Sequence, residues 1–330
     1  MLIVGDPHIK ITNVDAGRKF AAWLIEAVET HHPGWVVFLG DWFDSHAVLR
    51  AEILSDYRST IDTLVGYGCT IVHVLGNHEQ YKPADNAYHA LQSMKGLHDG
   101  KYFIVDERLD IHNMTFVPYM ADHAKFPLDT QEICFAHQSF VGADFGGFRP
   151  EYGVDADAVA AELIISGHIH RQQAFGKVWY PGSPFAQAAN DADQIKGIFL
   201  FDPASYIKTF IECPLPRWRS VEIELNTEVS VDSALEAVSA TITTDDHWIL
   251  KLKGAKADVT ALLESPTFKA LKKVHRIQER VVFTDLAKGR TRIEASSADA
   301  IVDEYLNKVY DGLLDKGDLK KKIASFLAET

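Results

Sequence analysis

Five apolar runs of strand length in this chain end in residues that no hydrophobic core would take: "LIVGDPH", "VVFLGD", "VHVLGNH", "ICFAH" and "LIISGHIH". Four of them cross into the polar residue through glycine, which lets backbone approach closely. The carboxyl edge of a sheet is where α/β folds collect ligands. Singly, each ending has an ordinary explanation, because Asp and Asn form turns after strands and loop histidines are commonly solvated. Jointly they place Asp6, His8, Asp41, Asn77, His78, His137, His168 and His170 at strand ends.

Carboxylate, amide and imidazole donors together suit divalent ions such as Mn²⁺, Fe²⁺ or Zn²⁺. Seven such donors with one histidine to spare is what two cations sharing a carboxylate require. Cys69, Cys134 and Cys213 lack ligand spacing, which argues against structural zinc and for packing residues in a reducing compartment.

Strands are expected at 1–5, 35–39, 70–75, 132–136 and 162–166, with helices at about 15–31, 47–67 and 84–95 and Asp15 capping the first. From 176 to 212 short strands between turns suggest antiparallel pairing, closing a domain over 1–213. "PLPRWR" marks a boundary because its prolines forbid regular structure. A β-α-β-α-β unit follows at 217–285, with helices near 231–241 and 257–273. The stretch 297–330 reads as two amphipathic helices broken at "KGD".

The chain is 47% hydrophobic, enough for a sizeable core in 330 residues. It has no apolar run near the roughly 20 residues of a membrane span and opens without a basic leader, so a soluble, cytoplasmic protein is expected. The net charge of −13 argues against a basic nucleic-acid binder. Bound cations, however, would add positive charge where a phosphate must sit.

The ordered blocks Asp6-Pro7-His8, Gly40-Asp41, Gly76-Asn77-His78-Glu79, His137 and Gly167-His168-Ile169-His170 resemble the calcineurin-like metallophosphoesterase superfamily. The resemblance implies a two-sheet αββα sandwich, with a small α+β capping domain and C-terminal helices beside it. It also implies that Asp6, His8 and His170 hold one metal, that Asn77, His137 and His168 hold the other, and that Asp41 bridges. A hydroxide between the cations would then attack phosphorus, with His78 facing the substrate and serving the departing oxygen. Glu79 is left between a structural partner and a solvated side chain.

The flanks bear on the substrate. Protein phosphatases of the superfamily carry an arginine after the second block, whereas "GDWFDSH" has Asp44 and resembles the SbcD-type recombination and repair nuclease subunit and its tailed-phage relatives. Eukaryotic and archaeal members place His where Asp44 stands, which makes Asp44 and His46 the substrate-binding candidates. "YPGSPFAQ" and "IKGIFLFD" resemble the segments that follow the last block in these nucleases. Lys251, Lys253, Lys269, Lys272, Lys273, Arg276 and Arg280 make a basic half in the second unit.

That resemblance implies a DNA exo- and endonuclease using Mn²⁺ (Mg²⁺, Fe²⁺ or Zn²⁺ being the alternatives). It further implies an SbcC-type ATPase docked on the C-terminal helices, since the chain has no P-loop of its own. The helix carrying Leu49, Ile53, Tyr57, Ile61, Leu64 and Val65 and the next one with Tyr88, Leu91 and Met94 turn most of that stripe to the core, but the resemblance implies that these helices also meet their twofold mates, so a homodimer is expected. The rival functions are a small-molecule phosphodiesterase or nucleotidase, and a non-catalytic scaffold that tethers DNA ends or an ATPase.

Overall fold

The computed structural model describes residues 1–284 other than 47–48, 83–84, 148, 151 and 243–244. The chain begins with β1 (Leu2–Val4), α1 (Val14–His31), β2 (Trp35–Phe38), α2 (Ala51–Gly66) and β3 (Thr70–Val74). A hairpin of β4 (Gln80–Lys82) and β5 (Asp85–His89) comes next, followed by β6 (Tyr102–Val105). A second series runs β7 (Leu109–Ile111), β8 (Met114–Val117), β9 (Ile133–His137), β10 (Leu163–Gly167), β11 (Gln173–Phe175) and β12 (Val178–Tyr180). Strands β13 (Gly197–Phe201) and β14 (Lys208–Glu212) return to the first sheet.

Two six-stranded sheets result, ordered β14-β13-β1-β2-β3-β6 and β11-β12-β10-β9-β8-β7. Each has a parallel centre; β13 and β14 join the first sheet antiparallel, while β11 and β7 form antiparallel edges of the second. Their central strands are mostly apolar because both faces are covered, while the edge strands β14, β7 and β11 carry polar residues and are partly exposed. In the first sheet Ile3, Val37, Val72 and Val74 point inward, where they meet Phe116, Ile133, Phe135 and Ile165 of the second. The alternate residues Leu2, Val4, Val36, Phe38 and Ile71 face Phe20, Leu24 and Val28 of α1 and Ile53, Tyr57 and Ile61 of α2. Each such side chain removed from water contributes about 1.5–3 kcal/mol. The far face of the second sheet packs under Phe126, Phe140, Val154 and Val159, carried by loops and the short turns His123–Lys125 and Ala156–Ala158.

A separate three-stranded parallel sheet follows: β15 (Trp218–Glu224), β16 (His247–Gly254) and β17 (Ile277–Phe283). Its helices are α3 (Val231–Thr241), α4 (Lys256–Glu264) and α5 (Pro266–Val274). Ile223, Val238, Leu250, Leu252, Val259 and Phe268 form its own core.

Several expectations are corrected. The helix expected at 84–95 does not form over the described residues of that segment, which carry β5 and then a 3₁₀ turn at Gln92–Met94. Gln80 pairs with His89 across the hairpin and both are buried, while Tyr88 is exposed and Leu91 and Met94 turn into the core. Among the described residues the second helix of the expected dimer interface is therefore missing, while Ile53, Tyr57, Ile61 and Leu64 of α2 feed the chain's own core, as expected. Helix α2 begins at Ala51 rather than 47. Asn13, not Asp15, stands at the N-cap of α1. The single helix expected over 257–273 is two, because Ser265 caps a new start, accepting from Phe268 N at 3.1 Å, with Pro266 in its first turn. The three cysteines are free and buried. The segment 297–330 lies outside the described residues. Among the described residues, no helix is long and apolar enough to cross a membrane.

Candidate metal centre

The carboxyl ends of β1, β2 and β3 in one sheet and of β9 and β10 in the other meet at a single rim. Asp6, His8, Asp41, Asn77, His137, His168 and His170 come together there from loops that are distant in sequence. The Asp6, His8 and Asp41 donor atoms lie within 4.8 Å of one another, as do those of Asp41, His137 and His168. Asn77 Oδ1 is 3.1 Å from His137 Nε2 and 2.8 Å from His168 Nδ1. His170 Nε2 is 2.9 Å from His8 Nε2. Asp41 Oδ2 stands between the two groups, 3.5 Å from His8 Nε2 and 3.2 Å from His137 Nε2.

Main-chain strain accompanies this convergence. His8, Asp41 and His168 have φ of 45°, 51° and 83°, a region costly for residues with a Cβ and characteristic of functional sites. A Cβ on Gly76 would collide with the Asp41 carboxylate, and one on Gly167 with Leu39 O and His137. Here the glycines are required for the approach itself.

Hydrogen bonds fix the orientation of the donors. His137 Nδ1 donates to Leu39 O (2.6 Å), which leaves Nε2 for the centre. Asp6 Oδ1 accepts from His168 N (2.7 Å), and Asp41 Oδ1 from His78 N (2.8 Å). Glu79, the residue left open by its sequence, is fully buried. Its Oε2 accepts from Gly76 N (3.0 Å) and Asp41 N (3.2 Å), its Oε1 from Trp42 N (2.9 Å), and His73 Nε2 lies 3.0 Å away. Glu79 thus ties the second strand ending to the third. A buried pair, Lys196 and Asp191 (2.8 Å), supports the last block, with Lys196 Nζ donating to His170 O (2.6 Å).

Electrostatically the centre is a cluster of carboxylates neutralised by imidazolium protons. Burial opposes charge on His137, but Asp41 and then Asp6 outweigh it and push the imidazole up to about 9. Burial likewise opposes charge on His8, yet hydrogen bonding to Asp44 and the charges of Asp41 and Asp6 raise it. His168 falls to about 3 through burial and the charge of His137, and burial also lowers His170. Asp41 is held well below the carboxylate range, since His137 and His8 outweigh its desolvation. Asp6 Oδ2 is buried with no hydrogen-bond partner. An orphaned carboxylate oxygen among neutralising protons, beside an amide oxygen facing two imidazoles, is a donor set that divalent cations fit.

His78 lies against the ligand cluster: its ring is 4.6 Å from that of His8, edge-on, and donor atoms of His8, Asp44 and His78 lie within 4.8 Å of one another. Its Nδ1 donates to Asp44 O (2.8 Å), so Nε2 is the nitrogen left for the cavity that the two residues share with His8, His168 and His170. That cavity has a volume of about 670 Å³ and reaches Lys10, Arg171 and Arg280, the last from β17 of the small sheet. Of the two substrate-binding candidates, Asp44 lines it and is paired with Lys10 (2.9 Å). His46 is not among its lining residues and packs edge-on to Tyr81, with ring centroids 5.9 Å apart.

The geometry is that of a candidate metal centre, and the comparisons give the class, a metal-dependent phosphoesterase. The sequence profile of the calcineurin-like phosphoesterases matches residues 1–172, and the chain belongs to that family, whose members use dimetal centres. Two relatives are more specific. The protein named "Putative phosphoesterase 244L" from Invertebrate iridescent virus 6 is 28% identical over 249 residues, 68% of this chain and 86% of that protein. Exonuclease subunit 1 of Enterobacteria phage T4 is 21% identical over 290 residues, 84% of this chain and 81% of that subunit.

Proposed function

We propose that this chain is the nuclease subunit of a DNA-processing complex and hydrolyses phosphodiesters with two divalent cations, Mn²⁺ being the first choice. The observation that carries the DNA reading is the reach of the similarity to the phage exonuclease subunit. It spans 290 residues, well beyond the 172 that define the family.

Asp6, His8 and His170 would hold one cation and Asn77, His137 and His168 the other, with Asp41 shared. Bound there, the cations would supply Lewis acidity toward phosphate oxygens and water. The chain's own residues do the rest. Asn77 contributes a neutral oxygen, which keeps the centre positive enough for an anionic ester. The Nδ1–H of His78, held by Asp44 O, aims Nε2 at the cavity. A proton on that Nε2 passes to the leaving oxygen, and a neutral ring left behind can be reprotonated from solvent. Lys10, Arg171 and Arg280 supply positive charge for neighbouring phosphates along the cavity wall. Strand β17 thereby gives the 217–285 unit a capping role over the substrate.

An SbcC-type ATPase docking on 297–330 and a homodimer complete the assembly. Co-purification with the ATPase should fail on deletion of 297–330, and ultracentrifugation should give twice the chain mass. The net charge of −13 favours the second reading, a small-molecule phosphodiesterase or nucleotidase. One assay separates the two. Purified protein with Mn²⁺ or Mg²⁺ is offered linear duplex DNA, single-stranded DNA, bis-p-nitrophenyl phosphate and nucleotides side by side. DNA degradation supports the nuclease; turnover of nucleotides with intact DNA supports the rival.

A further inference from the structure

We propose that Phe145 is a stacking platform for the base of the nucleotide being cleaved, so that this nucleotide is unpaired when it reacts. The inference rests on the phosphodiesterase reading and names the part of the substrate that the reading leaves open. Phe145 is 41% exposed, yet it lines the same cavity as His8, His78 and His168, and its ring stands 6.2 Å from that of His168 at 81°. Tyr119 lies against His168 too, at 5.5 Å. Two aromatic rings therefore flank this one ligand of the centre, while Arg280 brings a cation to the cavity wall beside Lys10 and Arg171, which are paired with Asp44 and Asp144. A π-face beside a phosphate-binding centre, with cations further along, matches the parts of one nucleotide and the backbone beyond it.

The ring is displayed on a loop built to hold still. Asp144 N donates to Gln173 Oε1 (2.7 Å), and Gln173 Nε2 donates back to Asp144 O (2.8 Å). Asp144 Oδ1 accepts from Gly146 N and Gly147 N at 2.8 and 2.7 Å, and Arg171 is 3.5 Å from its other oxygen. The φ angles of 100° and 103° at Gly146 and Gly147 exclude most side chains from the turn. Leaving 41% of Phe145 in water gains nothing for folding, whereas a preorganised ring loses little entropy when a base covers it. A base still stacked within a duplex cannot reach this ring, so the reacting nucleotide must leave the helix or come from a single strand.

The test uses the full chain with Mn²⁺ and end-labelled single-stranded oligonucleotides, intact or carrying one abasic residue at a defined position. Wild type should cleave at the abasic residue with kcat/KM lower by on the order of 10-fold. Phe145→Ala should cut intact strands about as slowly as wild type cuts abasic ones and should no longer distinguish the two, while Phe145→Trp should restore discrimination. Equal cleavage of intact and abasic strands by wild type, or full discrimination by Phe145→Ala, overturns the proposal alone. A wild-type chain that hydrolyses mononucleotides and leaves every oligonucleotide intact overturns the DNA reading, and the proposal with it.

Discussion

Replacing Glu79 with Gln should loosen the metal centre without touching a ligand. The carboxylate is completely buried and accepts from the amides of Gly76, Asp41 and Trp42, with His73 Nε2 at 3.0 Å. Glutamine fills the same volume but offers one oxygen. In its better orientation that oxygen keeps Gly76 and Asp41, and the new NH₂ faces His73 and the Trp42 N–H. The Trp42 N–H is then orphaned, at about 1–3 kcal/mol, His73 meets the NH₂ only by turning Nε2 into an acceptor, and two surviving bonds lose charge assistance, at about 1 kcal/mol in all. A total of roughly 2–4 kcal/mol should lower Tm by about 3–6 °C in a protein of this size. Because Asp41 N hangs from Glu79, Mn²⁺ affinity should also fall by about 10–100-fold. Calorimetric unfolding of the metal-free protein reads the first effect and isothermal titration with Mn²⁺ the second. A variant melting within about 1 °C of wild type, with unchanged affinity, would refute the role assigned to Glu79.

His78→Ala should leave Mn²⁺ binding intact and reduce kcat by about 10²–10⁴-fold with little change in KM, measured on whichever phosphodiester the wild type cleaves. The protonated His137 of the metal-free protein must be emptied for a cation to bind. With its pKa near 9, Mn²⁺ affinity should rise toward pH 9 and level off above it, with proton release seen as buffer-dependent titration heats. The same raised pKa stabilises the metal-free fold fully below the ordinary histidine value of 6.5, and that contribution should fade as pH climbs through 9, visible in Tm against pH. Lys196→Met leaves Asp191 buried and unpaired and frees His170 O, so a loss of about 3–5 kcal/mol in urea-unfolding stability is expected.

The donor set was legible because its residue types are wrong for strand interiors and their order survives in the chain. What holds those donors was not. Glu79 looks the same as any loop glutamate until three amides from two separate loops are seen to point at it. Lys196 sits in an apolar stretch and gives no sign that Asp191 and His170 O surround it. The strained backbone of His8, Asp41 and His168 exists only because two sheets bring their ends together. The helix expected at 84–95 rested on the spacing of Tyr88, Leu91 and Met94, a local period overridden by pairing of Gln80 with His89. The break between α4 and α5, by contrast, was written as Ser265-Pro266, a cap followed by a first-turn proline. Phe145 could not be distinguished from a core phenylalanine by sequence, since exposure beside the centre is a property of the fold.

The central claim is that five strand endings gather two cations around Asp41. Anomalous diffraction from crystals grown with Mn²⁺ measures it directly. Two peaks are predicted, one bounded by Asp6, His8 and His170 and the other by Asn77, His137 and His168, with the Asp41 carboxylate reaching both. A single peak, or peaks that Asp41 does not touch, would contradict it.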